Sequence, residues 1–294
     1  MSGPDPSTFP KITPFTKTWH TEPYPFISPT RPGLSAAGRN VVVTGGGTSI
    51  GNAIAVAFAQ AGAKSVAIIG RRVDKLVSGA ANISAAIIKD AETQVLYEQA
   101  DLLSSEETTR ALQSIAKKVG GKIDVMVSNA GGGGGHGLIS TATDDELLNS
   151  FQGFVLTAIH AMQAFLPLAG PDAILLSTNT CFAHWPAIPP FGPYSFARTS
   201  LLKLTDYIQS ENPNVRVVSI QPGWVASAAN GFQKEATDVA ELPGQFYVWL
   251  ASPEAEFLKG KFVWANWDAQ ELMEKAEQIK NSKLLTTLLS GADE

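Results

Sequence analysis

The chain has a single cysteine, Cys181, so no disulfide can close within it. That suits a reducing compartment, and a cytoplasmic location is expected. Charge is scarce as well: 17% of the 294 residues are charged, and the formal net charge is −5. This balance argues against a nucleic-acid partner or an anionic membrane surface. No apolar run approaches the roughly 20 residues that a membrane-spanning helix needs. The opening residues Met1 to Pro6 hold no apolar stretch of the kind a secretory signal carries. No metal site is expected. Hydrophobic residues, at 44%, supply one large core, and the length allows one or two domains.

Proline is concentrated at the start, at positions 4, 6, 10, 14, 23, 25, 29 and 32. It fixes φ and removes donors, so residues 1–35 are expected to form an extended arm. The same stretch holds Phe9, Phe15, Trp19, Tyr24 and Phe26. That many aromatics predict an arm packed on its own subunit or on a neighbour. Residues 36–294 are expected to form one domain, with no internal repeat and no second boundary.

From Asn40 strands and helices alternate. Strands are predicted over 40–44, 64–69, 93–99, 122–127, 173–177 and 215–220, with an edge strand over 262–264. Helices are predicted over 50–61, 73–90, 106–119, 144–166, 195–211 and 268–279. Such alternation implies right-handed crossovers and an α/β fold: a Rossmann-type, doubly wound parallel sheet in three layers, α/β/α.

The stretch from Val41 to Gly51 organises the rest. β-Branched residues run into Thr44, Gly45, Gly46, Gly47, Thr48 and Ser49, and an apolar helix follows from Ile50. Strand, tight glycine turn and helix form the layout of a dinucleotide pyrophosphate site, where free helix N–H groups face the anion. The second strand ends in Arg71 and Arg72 rather than in a carboxylate. Guanidinium groups suit a phosphate, so NADP(H) is predicted over NAD(H).

The spacing Thr-Gly-x-x-x-Gly-x-Gly resembles that of the short-chain dehydrogenase/reductase family, with Ser49 standing for the middle glycine. The resemblance runs from about Asn40 to Asp268, and the stretch 257–268 is similar to that of many fungal members. It implies that Asp101 contacts adenine and that Asn129 stabilises the central sheet. Ala130 and Gly131 would let the backbone pass the cofactor, and Pro222, Gly223 and Ser227 would meet the nicotinamide side. The family pairs through its long helices, which implies a homodimer or homotetramer. The substrate implied is a small molecule of fungal secondary metabolism.

The family's reductases use a tyrosine, a lysine four residues on, a serine about thirteen before the tyrosine, and an asparagine on the long helix. Here Tyr194 is the tyrosine and Arg198 replaces the lysine. Arg198 keeps the charge but cannot pass a proton on. Thr180 or Cys181 takes the serine position, with Thr180 favoured because a neutral thiol polarises a carbonyl weakly. Ser150 stands at the asparagine position. A substrate pocket is expected around Cys181, His136, His184, Trp185, Phe191 and Trp224, with either histidine available as a general acid or base. His160, inside the long helix, is expected to be a packing residue. Three readings stay open: a reductase with a rebuilt relay, a non-redox cyclase, isomerase or lyase, and a non-catalytic binding subunit.

Overall fold

Val41 and Val43 pack into one hydrophobic cluster and Val42 into another, so the first strand is covered on both faces. That strand, β1 (Asn40–Thr44), lies inside a seven-stranded parallel sheet. The others are β2 (Ser65–Gly70), β3 (Gln94–Gln99), β4 (Ile123–Ser128), β5 (Ala169–Thr178), β6 (Arg216–Gln221) and β7 (Lys261–Trp264). Their order is β3-β2-β1-β4-β5-β6-β7, which puts β1 between β2 and β4. The chain winds outward from β1 to β3, then crosses to β4 and winds outward again. The switch point lies between β1 and β4, and the crevice above it is where such sheets bind ligands. The computed structural model describes residues 13–88, 91–227 and 234–289.

Helices α1 (Ser49–Gln60) and α2 (Val73–Ala85) lie on one face. Helix α3 (Ser105–Val119) covers the other and carries its own stop signals. Ser104 accepts the Glu107 amide at its start, and Gly120 ends it in the left-handed region, φ +102°. The helix expected over 73–90 ends at Ala85, and residues 89 and 90 lie outside the described residues. Strand β5 begins at Ala169, ahead of the expected position, across a register irregularity opposite Ile123 and Val125.

The long helix is not continuous. It runs as α4 (Asp144–Phe151), a π-helical turn (Gln152–Leu156), α5 (Thr157–Phe165) and a tight 3-10 turn (Leu166–Leu168). Contrary to expectation, the run Asp144–Leu168 is long and apolar enough, by length and composition alone, to cross a membrane. Here Ala158, Ala161, Met162 and Phe165 are buried against the sheet beside α3. Helix α6 (Gly192–Glu211) starts three residues before the predicted boundary, with Pro193 in its first turn. Helix α7 (Glu241–Ala251) was not expected at all; it packs along α1. The terminal helix is broken at Lys275 into α8 (Ala269–Glu274) and α9 (Ala276–Lys280).

Pro4, Pro6, Phe9 and Pro10 lie outside the described residues. From Phe15 onward the N-terminal segment packs on its own chain. Trp19 bridges Trp267, the His20 amide donates to Asn266 O at 2.8 Å, and Ile27 and Leu34 join the cluster that contains α1 and α7. The free side of β7 is met by the C-terminal segment. Phe262 N donates to Leu285 O, and Lys261 Nζ donates to Ser282 O and Leu284 O.

Candidate active site

The carboxyl ends of β1 and β4 are tied together. Asn129 N and Ala130 N both donate to Thr44 Oγ1 at 3.0 Å, and Asn129 Nδ2 donates to Thr44 O at 3.1 Å. The Asn129 amide fills the space that glycine leaves. A Cβ on Gly51 would lie 2.7 Å from Asn129 Nδ2 and would overlap Gly45 O. Glycine at these positions therefore lets two loops close on each other.

Thr48 precedes α1 without a side-chain cap, and no acidic residue occupies the first turn. The first N–H groups of α1 are left for an anion. Ser49 lies at φ +48°, a left-handed conformation that costs an ordinary residue about 1–2 kcal/mol. Its Oγ is buried with no partner among the described residues. A strained residue with an orphaned hydroxyl at an uncapped helix start fits a pyrophosphate group. Ser49→Gly relieves that strain. It is expected to raise the melting temperature by about 2–4 °C. A calorimetric melt checks this, and a fall in melting temperature would contradict it.

Arg71 and Arg72 are exposed at the end of β2. Asp101 Oδ1 accepts Leu103 N at 3.1 Å, while the α3 cap is Ser104. Gly223 has φ +99°, and a Cβ there would lie 2.5 Å from Asp238 Oδ2. That carboxylate takes Trp224 N at 2.6 Å and Asn266 Nδ2 at 2.9 Å, so Asp238 closes the base of the loop after β6. Ser227 follows Val225, which bridges Asp238. Nothing in the local sequence around Asp238 signalled this contact across 14 residues.

Tyr194 and Arg198 are four apart in the first turns of α6 and share a face. The Arg198 guanidinium lies 5.3 Å from the Tyr194 ring centre and 4.2 Å from that of Phe154. Its Nη1 donates to Thr178 O at 3.1 Å, and its Nε is buried with no partner among the described residues. Phe154 and Phe182 meet the Tyr194 ring edge-on, at 5.2 and 5.7 Å. Thr180 is buried at the start of a short 3-10 turn (Cys181–Ala183) and accepts Phe182 N. Cys181 is buried beside it, Sγ 3.9 Å from Thr180 Oγ1, and burial pushes its thiol up to about 12. It is therefore a neutral thiol at physiological pH.

The five consecutive glycines from Gly131 to Gly135 form a docked strip. Gly132 N donates to Gly153 O, and a Cβ on Gly153 would fall on Gly132 O. A Cβ on Gly134 would lie 3.0 Å from Ser150 Oγ, and one on Gly135 would lie 3.4 Å from Tyr194 Cβ. Gly137 N donates to Pro190 O at 2.6 Å, and the His136 ring lies 4.8 Å from Phe191. Ser150 is thus fully buried under the strip, its hydroxyl without a partner among the described residues. The strip brings His136 and Phe191 to the Tyr194 side.

His184 and Trp185 face elsewhere. Trp264 Nε1 donates to His184 Nε2 at 3.3 Å, and Trp185 lies 5.5 Å from Trp264. With Phe262 and Trp267 they line a cleft of about 380 Å³ at the β7 edge, whose lining does not include Tyr194. Phe182 stands between, 5.8 Å from Trp185 and 5.7 Å from Tyr194. His160 Nδ1 pairs with Leu102 O at 2.8 Å. No group of three metal-ligating side chains occurs among the described residues.

Residues 39–238 match the family model described as short chain dehydrogenase. A short chain dehydrogenase/reductase, nsrO, of Aspergillus novofumigatus (strain IBT 16806) is 30% identical over 285 residues, covering 93% of this chain and 95% of the relative. A short chain dehydrogenase/reductase of Claviceps purpurea (strain 20.1) is 29% identical over 272 residues, covering 90% of each. Among solved structures, a dehydrogenase/reductase from Sinorhizobium meliloti 1021 superposes with a TM-score of 0.72 at 20% identity, over 84% of this chain and 98% of the other.

Proposed function

The chain belongs to the short-chain dehydrogenase family, and from that premise we propose that it is an NADP(H)-dependent reductase of a carbonyl or imine in a small molecule of fungal secondary metabolism. The observation that carries this reading is the pairing of Tyr194 with Arg198 on one helix face, beside an uncapped α1 with its orphaned Ser49 hydroxyl.

The glycine turn from Gly45 to Gly51 would hold the pyrophosphate, Arg71 and Arg72 the 2′-phosphate, and Asp101 the adenine. Asn129, Ala130, Gly131, Pro222, Gly223 and Ser227 would line the nicotinamide end. When bound, the nicotinamide supplies hydride to the carbonyl or imine carbon. Tyr194 gives its phenolic proton to the developing oxyanion or amide, with the Arg198 guanidinium 5.3 Å from its ring centre. Thr180 is the favoured hydroxyl at the serine position, because the Cys181 thiol is neutral and buried. Phe154 and Phe182 hold the phenol ring in place by edge contacts. The phenolate regains its proton from solvent, since Ser150 is sealed under the glycine strip.

That sealing also favours a second, non-redox reading. Arg198 is held by a backbone carbonyl and an aromatic face, and Ser150 is cut off, so the pocket is suited to polarise and shape a substrate without a proton relay. Exposed Leu148, Phe196 and Tyr207 on α4 and α6 are the proposed homodimer face, and the reducing cytoplasm is the proposed compartment.

Titration with NADPH and NADH, followed by nicotinamide fluorescence, tests the reading. Micromolar NADPH and much weaker NADH are expected. Replacing Arg71 and Arg72 together by Ala is expected to weaken NADPH by about tenfold to a hundredfold and leave NADH unchanged. Equal affinity for the two nucleotides would remove the phosphate assignment. Binding of neither would favour the non-redox reading.

A further inference from the structure

Tyr247 lies on α7 and is fully buried, yet its hydroxyl is not idle. It is 2.7 Å from Thr178 Oγ1, at the carboxyl end of β5. Thr178 Oγ1 in turn donates to Asn129 Oδ1 at 3.3 Å. The direction of this line follows from its far end. Asn129 Nδ2 donates to Thr44 O, which can only accept, so Oδ1 is the atom that faces Thr178. Thr178 has one proton and spends it there, so Tyr247 is the donor to Thr178. Burial holds the Tyr247 phenol well above its ordinary range, which keeps the O–H present at physiological pH.

Both halves of the site hang on Thr178. Its side chain orients Asn129, whose amide fills the gap between Gly45 and Gly51. Its backbone carbonyl anchors Arg198 Nη1. Helix α7 is pressed against α1 at the same level, where a Cβ on Gly244 would lie 2.8 Å from Ala53 O. We infer that Tyr247 is a positioning residue: through Thr178 it sets the Asn129 amide under the glycine turn and the carbonyl that anchors Arg198. This role rests on the dinucleotide reading above for its functional meaning, but its structural content is independent of any ligand.

The test uses Tyr247→Phe, Thr178→Val and the double variant. Amide hydrogen exchange is measured on the free proteins, and NADPH titration follows. In Tyr247→Phe, exchange of Asn129, Ala130 and residues 45–51 is expected to quicken about tenfold, and the NADPH dissociation constant is expected to rise about tenfold. Because the two residues act in one line, the double variant is expected to be no worse than Thr178→Val alone. Quickened exchange confined to α7, or losses that multiply in the double variant, would overturn the inference. If the unaltered protein binds no nucleotide but exchange still quickens at the glycine turn, the positioning role holds and the cofactor reading falls.

Discussion

Gly153→Ala is expected to lose at least about 3 kcal/mol of stability, although alanine is the better helix former by about 1 kcal/mol. The new methyl group would fall on Gly132 O, a backbone atom with no side-chain freedom to yield. Either the π-helical turn shifts, or the glycine strip lifts and loses its Gly132–Gly153 hydrogen bond. The melting temperature should fall by roughly 6–12 °C. Lifting the strip also withdraws Gly135 from Tyr194, so activity should fall further than stability. Gly132→Ala is the control, because a Cβ there meets nothing within 4 Å and should change stability by less than about 0.5 kcal/mol. Equal melting temperatures for the two variants would show that the strip is not docked on the helix.

Tyr194→Phe separates chemistry from packing. The phenyl ring keeps its edge contacts with Phe154 and Phe182 and its place beside the Arg198 guanidinium. Stability and NADPH affinity are therefore expected to hold. Reductase turnover is expected to fall by about 10²- to 10⁴-fold, the range that general acid catalysis supplies. The comparison needs turnover and binding measured on the same preparation. Retained turnover on a carbonyl substrate would mean that a group other than Tyr194 delivers the proton.

Most strands were legible as short β-branched or apolar runs, and β2 and β4 close on a small residue, Gly70 and Ser128. Both faces of β1 are buried, so its valines are continuous rather than alternating. Helix α7 was not legible, and the reason is local. Pro243 and Gly244 look like breakers, and Leu242, Phe246, Tyr247, Val248, Trp249 and Leu250 leave no polar face to mark a helical period. Its proline is tolerated in the first turn, and its glycine is needed for the approach of α1. In the site, residue types at the motif positions could be read from spacing. What they face could not. The docking of the glycine strip depends on Gly153, some twenty positions later. The position of His184 and Trp185 depends on β7 and on both terminal segments. Tyr247, Phe154 and Asp238 act through contacts that only the assembled sheet creates.

The N-terminal segment carries a consequence for how the chain is made. Lys17 and Thr18 bond Glu271, His20 bonds Asp268, Tyr24 bonds Trp267, and Lys275 reaches Phe15 O. These partners lie 243 to 260 positions away. On a ribosome adding about 5–20 residues per second, Trp19 and Tyr24 wait roughly 12–50 s for the surface that buries them. These two aromatics are thus made early and find shelter late. Newly made chains should be most prone to aggregate in that interval, and the same segment should detach first when the finished molecule begins to unfold.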